Sequence, residues 1–299
     1  MAKIEPRYVF RGDAVGAAGR LLRNARGEAV NQIVPVLAAS SLPVIGGISE
    51  AKAENCTIPM PEGEKPFLCV DSAITSAKSE PEGLHSDHIT TVNVDVKNVR
   101  ILDRVTMDTV KATLVSTHPP AEKVARIVPE AAEMTGLKLD GHELAVTFDL
   151  KVYKRCPTKE TLVEHYANTA AFRAKSAWRV SADSPKKLRP PEFKGVIIAT
   201  IVSSIKWVDK PLEGVEICGN VIRWPEVGTI YLGELLICQK SRRLTMFRME
   251  LGGNMEVQRQ AVTKGRKSKK VAGAARAEDR NQGGEVVIGE TQTNGTTIP

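Results

Sequence analysis

The stretch from Val215 to Leu251 constrains the fold most. It reads VEICGNVIRW, VGTIYLGELLICQK and RRLTMFRMEL, with Pro225–Gly228 and Lys240–Arg243 falling between the runs. Three segments rich in β-branched and aromatic residues, separated by turn formers, spell a β-meander. The pattern continues upstream. Residues 89–102 carry Val92, Val94 and Val96 on one parity, then Val99 and Ile101 on the other, with Asn98 at the slip. Such a phase change inside a strand reads as a β-bulge. Residues 105–117 and 195–208 read as further strands. The cleanest alternation is Leu144, Val146, Phe148, Leu150 and Val152.

The expected class is therefore mainly β to α+β. The architecture expected is a large antiparallel β-sandwich or barrel-like sheet with one or two peripheral helices and a disordered C-terminal tail. One helix is expected from about Thr158 to Lys175, capped by Thr161 and Glu164 and burying Leu162, Tyr166 and Ala170. A second is expected within Ala121–Met134, broken at Pro129. The Gly/Ala-rich segment 12–29 reads as a loop or short helix, and Ala38–Ile48 as a buried turn. Residues 1–255 form one domain in this reading, with inserted loops at 55–88 and 179–194, and residues 256–299 form a flexible basic tail.

Composition narrows the function classes. With 299 residues, 42% hydrophobic and 26% charged, the chain can bury a full core. No run approaches the roughly 18 apolar residues of a membrane helix, and the N-terminus lacks an apolar export signal. Five cysteines at wide spacing, without a CxxC pair, suggest reduced thiols rather than disulfides or a zinc knuckle. A cytoplasmic protein without membrane contact is expected.

The net charge of +7 is unevenly distributed. Lys264, Arg266, Lys267, Lys269, Lys270 and Arg276 stand together without an acid among them, which leaves the rest of the chain near neutrality. A run such as Lys264, Arg266, Lys267, Lys269 and Lys270 binds polyanions by counterion release, without sequence readout. No aromatic residue interleaves it for base stacking.

Signatures of catalysis are sparse. The chain has no GxxxxGK[ST], GxGxxG or GxSxG, so neither a nucleotide cradle nor a nucleophile elbow is indicated, and no cofactor is expected. His85, Asp87 and His88 cluster in a polar segment and could ligate a divalent metal. His118, between Thr117 and Pro119, reads as a turn residue without an evident catalytic partner, and Cys156 follows the cations Lys154 and Arg155 that could lower its pKa.

Several strands carry apolar residues on both parities. In Thr229–Cys238, Ile230, Leu232 and Leu236 oppose Tyr231, Leu235 and Ile237. A strand apolar on both faces must be covered twice, and few helices are available as covers. The reading is thus a non-enzymatic structural, assembly or binding protein that forms a homo-oligomer through β surfaces. The alternatives are a metal-dependent protein or enzyme using the His85/Asp87/His88 loop, and polyanion or nucleic-acid binding through the basic tail.

Overall fold

Among the described residues, seventeen strands and three short helices follow one another. In order they are β1 (Arg7–Arg23), β2 (Ala29–Ser41), β3 (Gly47–Pro59), β4 (Pro66–Pro81), β5 (His88–Ile101), β6 (Val105–His118), β7 (Arg126–Thr135), β8 (Leu137–Leu139) and β9 (His142–Phe148). Helices α1 (Lys151–Arg155), α2 (Lys159–Asn168) and α3 (Ala170–Ala174) come next. The chain continues with β10 (Ala177–Arg179), β11 (Val196–Thr200), β12 (Val202–Trp207), β13 (Glu216–Cys218), β14 (Val221–Trp224), β15 (Gly228–Ile237), β16 (Ser241–Leu251) and β17 (Gly284–Ile298). This computed structural model describes residues 7–23, 29–60, 66–81, 86–120, 122, 124–174, 177–179, 196–252 and 283–298.

The strands form two antiparallel sheets. The first runs β10-β11-β15-β16-β17-β1-β2, with β14 on β15 and β13 on β14; the second runs β12-β9-β8-β6-β5-β4-β3, with β7 on β6. The sheets pack face to face, chiefly β1 and β17 over β4, β5 and β6. This is the expected sandwich. Its main core contains Leu21, Phe67, Leu68, Ile101, Met107, Phe247, Met249, Val286 and Ile288. Aromatic residues are few, so Val, Ile and Leu do most of the filling.

A crease crosses both sheets. In the second sheet, a transverse row of Asn55, Asp71, Asn98, Asp108 and Gly136 is skipped by the ladder, and the pairing resumes beyond it in the same register. Alternate members are left-handed: Asn55 at φ 51, Asn98 at φ 51 and Gly136 at φ 65. The first sheet repeats the device with Ala38, Gly16, Gly289, Met246 and Gly233. There Ala38, Gly289 and Gly233 have φ of 50, 67 and 55.

At the crease the inward parity changes on every strand without any register shift. Thus β5 buries Val92, Val94 and Val96, then Val99 and Ile101. The parity slip expected at Asn98 is real, but it is not a bulge: no residue there faces two. The crease also removes the reason for expecting a second cover. In β15, Ile230 and Leu232 are buried before Gly233, and Leu235 and Ile237 after it. These residues share one face, and the opposite sheet covers it.

Other expectations need correction. The segment 12–23 is neither loop nor helix but part of a 17-residue strand. Its glycines fit because the layers approach closely: a Cβ on Gly12 would lie 2.9 Å from Val92. The helix expected in 121–134 is mostly β7, an edge strand in which Pro129 is tolerated because it lies beside a ladder irregularity. Most of 55–88 belongs to β3 and β4 rather than to an inserted loop, whereas most of 179–194 lies outside the described residues.

The expected long helix is split into α2 and α3. Its cap is Thr158 with Thr161, one turn before the expected box; Leu162 and Tyr166 are buried, while Ala170 is exposed. Arg242, itself buried, donates to the Cys156 and Pro157 carbonyls at 3.2 and 2.8 Å and ties this helical excursion to β16.

The largest correction concerns the C-terminus. Residues 284–298 are not a flexible tail but β17, inserted between β1 and β16. Val286 and Ile288 are fully buried there, and the Thr-rich remainder suits a pleated, half-buried surface.

Candidate functional site

Two regions of the sandwich depart from what packing alone requires. The first is an edge. β2 ends the first sheet and β3 ends the second, and a short turn at 42–46 joins them. Each strand is 13 residues long and, among the described residues, pairs on one side only. The large exposed hydrophobics concentrate here: Ile33 at 72%, Val44 at 64%, Ile45 at 82% and Ile48 at 65% exposure, with Val36 beside them. The expected buried turn at 38–48 is therefore buried only at Ala38, Ser40, Leu42 and Gly46, and its tip is apolar and open.

The tip is held rigidly. The Phe10 amide donates to the Val44 carbonyl at 3.1 Å, and the Leu42 amide to the Gly12 carbonyl at 2.9 Å. The Gly47 amide donates to the Ser79 hydroxyl at 2.9 Å. β2 contains no charged residue, although charge is a common protection for a free edge.

The second region lies under that tip, where Phe10 enters the interlayer space. Beyond the crease, β1 and β17 face β4, β5 and β6 across a small apolar cluster of Ala14, Leu42, Ala77 and Val92. Polar side chains surround it: Ser40, Thr75, Ser79, Thr90, Ser116, His118, Thr291 and Thr293 are all buried. Many find no partner. Tyr8 Oη, Ser40 Oγ, Thr75 Oγ1, Thr90 Oγ1, Ser116 Oγ, Thr291 Oγ1, His88 Nδ1 and both His118 ring nitrogens are buried without a hydrogen bond. Native interiors leave few such atoms, and each calls for an explanation.

At the end of this space stand His88 and His118, directly opposite each other on β5 and β6. Tyr8 stacks on His88 with ring centroids 4.4 Å apart and lies 5.0 Å from His118. Phe10 meets His88 edge-on at 5.6 Å. Burial pushes the Tyr8 phenol up to about 12; the Ser116 hydroxyl pulls the other way, although the two hydroxyls do not reach hydrogen-bond geometry.

Burial also lowers both imidazoles. At His88, Asp87 opposes the shift. At His118, His88 adds to it, and Glu122 and Asp87 oppose it.

Of the sequence-based site residues, His85 lies outside the described residues, as do Lys264, Arg266, Lys267, Lys269 and Lys270. Asp87 and His88 are described. The structure brings His88 to His118, which is a buried strand residue rather than part of a turn. Among the described residues, no three His, Cys, Asp or Glu side chains gather as a metal group.

Cys156 is not an activated thiol: burial raises its pKa, against the pull of Arg155 and Arg242. All five cysteines are free, and Cys69 alone is buried. Among the described residues no helix is long and apolar enough to cross a membrane.

By architecture this is a mainly-β protein of two packed antiparallel sheets, with an open apolar edge and a polar interlayer end. Residues 8–177 and 169–238 match the model of a family described as "Domain of unknown function (DUF8256)", and the chain belongs to that family. No curated protein and no solved structure matches it.

Proposed function

We propose that the chain is a non-enzymatic assembly protein that binds further copies of itself through the edge formed by β2, the 42–46 turn and β3. The observation that carries this reading is the concentration of Ile33, Val36, Val44, Ile45 and Ile48, all exposed, along two edge strands and the turn that joins them. Large exposed apolar residues gathered on one edge mark an interaction site, and an unpaired edge offers backbone donors and acceptors to an added strand.

The charge pattern of β3 favours a second copy as the occupant. Its exposed residues run Ile48, Glu50, Lys52 and Glu54. An identical strand laid antiparallel about Ala51 sets each Glu50 opposite a Lys52, although it also sets each Ile48 opposite a Glu54, so the complementarity lies in the two central ion pairs. Five free thiols suit a reducing compartment such as the cytoplasm.

Size-exclusion chromatography with light scattering tests the reading. The wild-type chain should associate with rising concentration, and Ile45→Glu combined with Ile48→Glu should return it to a monomer with unchanged circular dichroism. A wild-type monomer throughout the concentration range would overturn it, as would an oligomer that survives both substitutions.

A further inference from the structure

We propose that His88 and His118 bind a borderline divalent transition-metal ion, of the Zn2+, Ni2+ or Cu2+ class, at the Tyr8 end of the interlayer space. The site does not depend on the assembly reading, because neither histidine belongs to the β2–β3 edge.

Placement comes first. The two residues are direct cross-strand neighbours. Such pairs hold their Cβ atoms roughly 4.5–5.5 Å apart, a span over which two side chains interact. Tyr8 packs against both rings, stacked on His88 and tilted 5.0 Å from His118, and Phe10 abuts the edge of His88. A site built on paired strands and fixed by packing is preorganised.

Chemistry comes second. His118 is 1% exposed, yet neither ring nitrogen has a partner, and Nδ1 of His88 is equally orphaned. An imidazole buried inside a fold normally spends at least one nitrogen on a hydrogen bond, and buried groups that do not are candidates for an ion or a water. The negative charge of Asp87 acts on both rings. Imidazole donors select Zn, Ni and Cu, whereas Mg and Ca prefer oxygen. Two protein nitrogens do not complete a four-coordinate structural site, so the ion would be held more weakly than in a closed one.

Calorimetric titration of the full-length chain with Zn2+, Ni2+ and Mg2+ tests the proposal, alongside His88→Gln, His118→Gln and His85→Gln. One Zn2+ or Ni2+ per chain is expected, with no response to Mg2+. Affinity should fall at least tenfold in His88→Gln and in His118→Gln. Absence of saturable binding by the wild type would overturn the site. So would binding retained by both variants, or binding abolished by His85→Gln and untouched by His118→Gln.

Should His118→Gln fail to fold, the wild-type imidazole resonances decide the matter by NMR. Zn2+ must shift the ring signals of both His88 and His118. A shift confined to other histidines sinks the proposal.

Discussion

Gly16 of β1 and Ala73 of β4 meet across the two layers: a Cβ on Gly16 would stand 2.8 Å from the Ala73 Cβ and 2.9 Å from the Leu37 carbonyl oxygen. Both contacts fall on the crease. Gly16→Val should therefore destabilise the chain by about 1–3 kcal/mol through overpacking. Urea unfolding followed by circular dichroism measures this. Adding Ala73→Gly to Gly16→Ala should recover part of the loss, because the two side chains share one space. Strict additivity would mean that the layers do not touch there.

Asn98 tests the crease itself. Its φ of 51 suits Asn or Gly, and its side-chain amide donates to Asp71 at 2.9 Å. Asn98→Val forces a β-branched residue into the left-handed region and should cost about 1–2 kcal/mol, while Asn98→Gly should cost less. Equal melting temperatures for the two variants would argue against a left-handed residue in solution.

The polar interlayer end predicts a pH dependence. Burial holds the His118 imidazole below its ordinary value of 6.5. Above that value both folded and unfolded chains carry a neutral ring, and the group leaves stability unaffected. As pH falls below about 6.5 the unfolded chain takes up a proton that the folded one resists, so stability declines until the depressed folded value is reached. Thermal melts in chelator-containing buffer should show this decline between pH 7 and pH 5. His118→Phe should flatten it. A wild-type curve as flat as that of the variant would show that His118 is not buried in its neutral form.

The basic segment and the last strand can be separated. Neutralising Lys264, Arg266, Lys267, Lys269 and Lys270 to Gln should weaken low-salt retention on heparin and leave the melting temperature unchanged, if the segment contacts polyanions. Deleting everything after Gly252 should abolish cooperative unfolding, because it removes Val286 and Ile288 from the core and strips β1 and β16 of a shared neighbour. A truncated chain that still melts cooperatively would place β17 outside the folded core.

Much of the sandwich was legible because Val, Ile and Thr alternate openly in β5, β6 and β9 and in the meander of β14 to β16. β1 was not, since Gly12, Gly16 and Gly19 carry no strand propensity; Gly12 and Gly16 fit a close contact with the facing layer and Gly19 a close approach of β17, and both appear only in three dimensions. β7 was misread because Ala, Glu and Met favour a helix, and its pairing with β6 overrode that preference. β17 was missed because the composition of the basic segment masked the β-branched residues of EVVIGETQTNGTTI. Apolar residues on both parities pointed toward a second cover because a crease and a two-faced strand look alike without the partner strands.

The site was half legible. His88 stands out in the sequence, whereas His118 has no partner visible there. A signal existed: both histidines lie the same number of residues from Asp103, so a tight hairpin centred on that residue sets them opposite each other. Tyr8 carried no local mark at all, because its ring reaches the pair from the other sheet.

The insertion of β17 between β1 and β16 also governs the timing of folding. During synthesis β1 keeps one side bare until residues 284–298 have left the ribosome. Stretches almost 300 residues apart must find each other before the first sheet is continuous, and pairing over such a separation is the kind that slows folding. Until then the growing chain presents adhesive margins that a chaperone would have to guard.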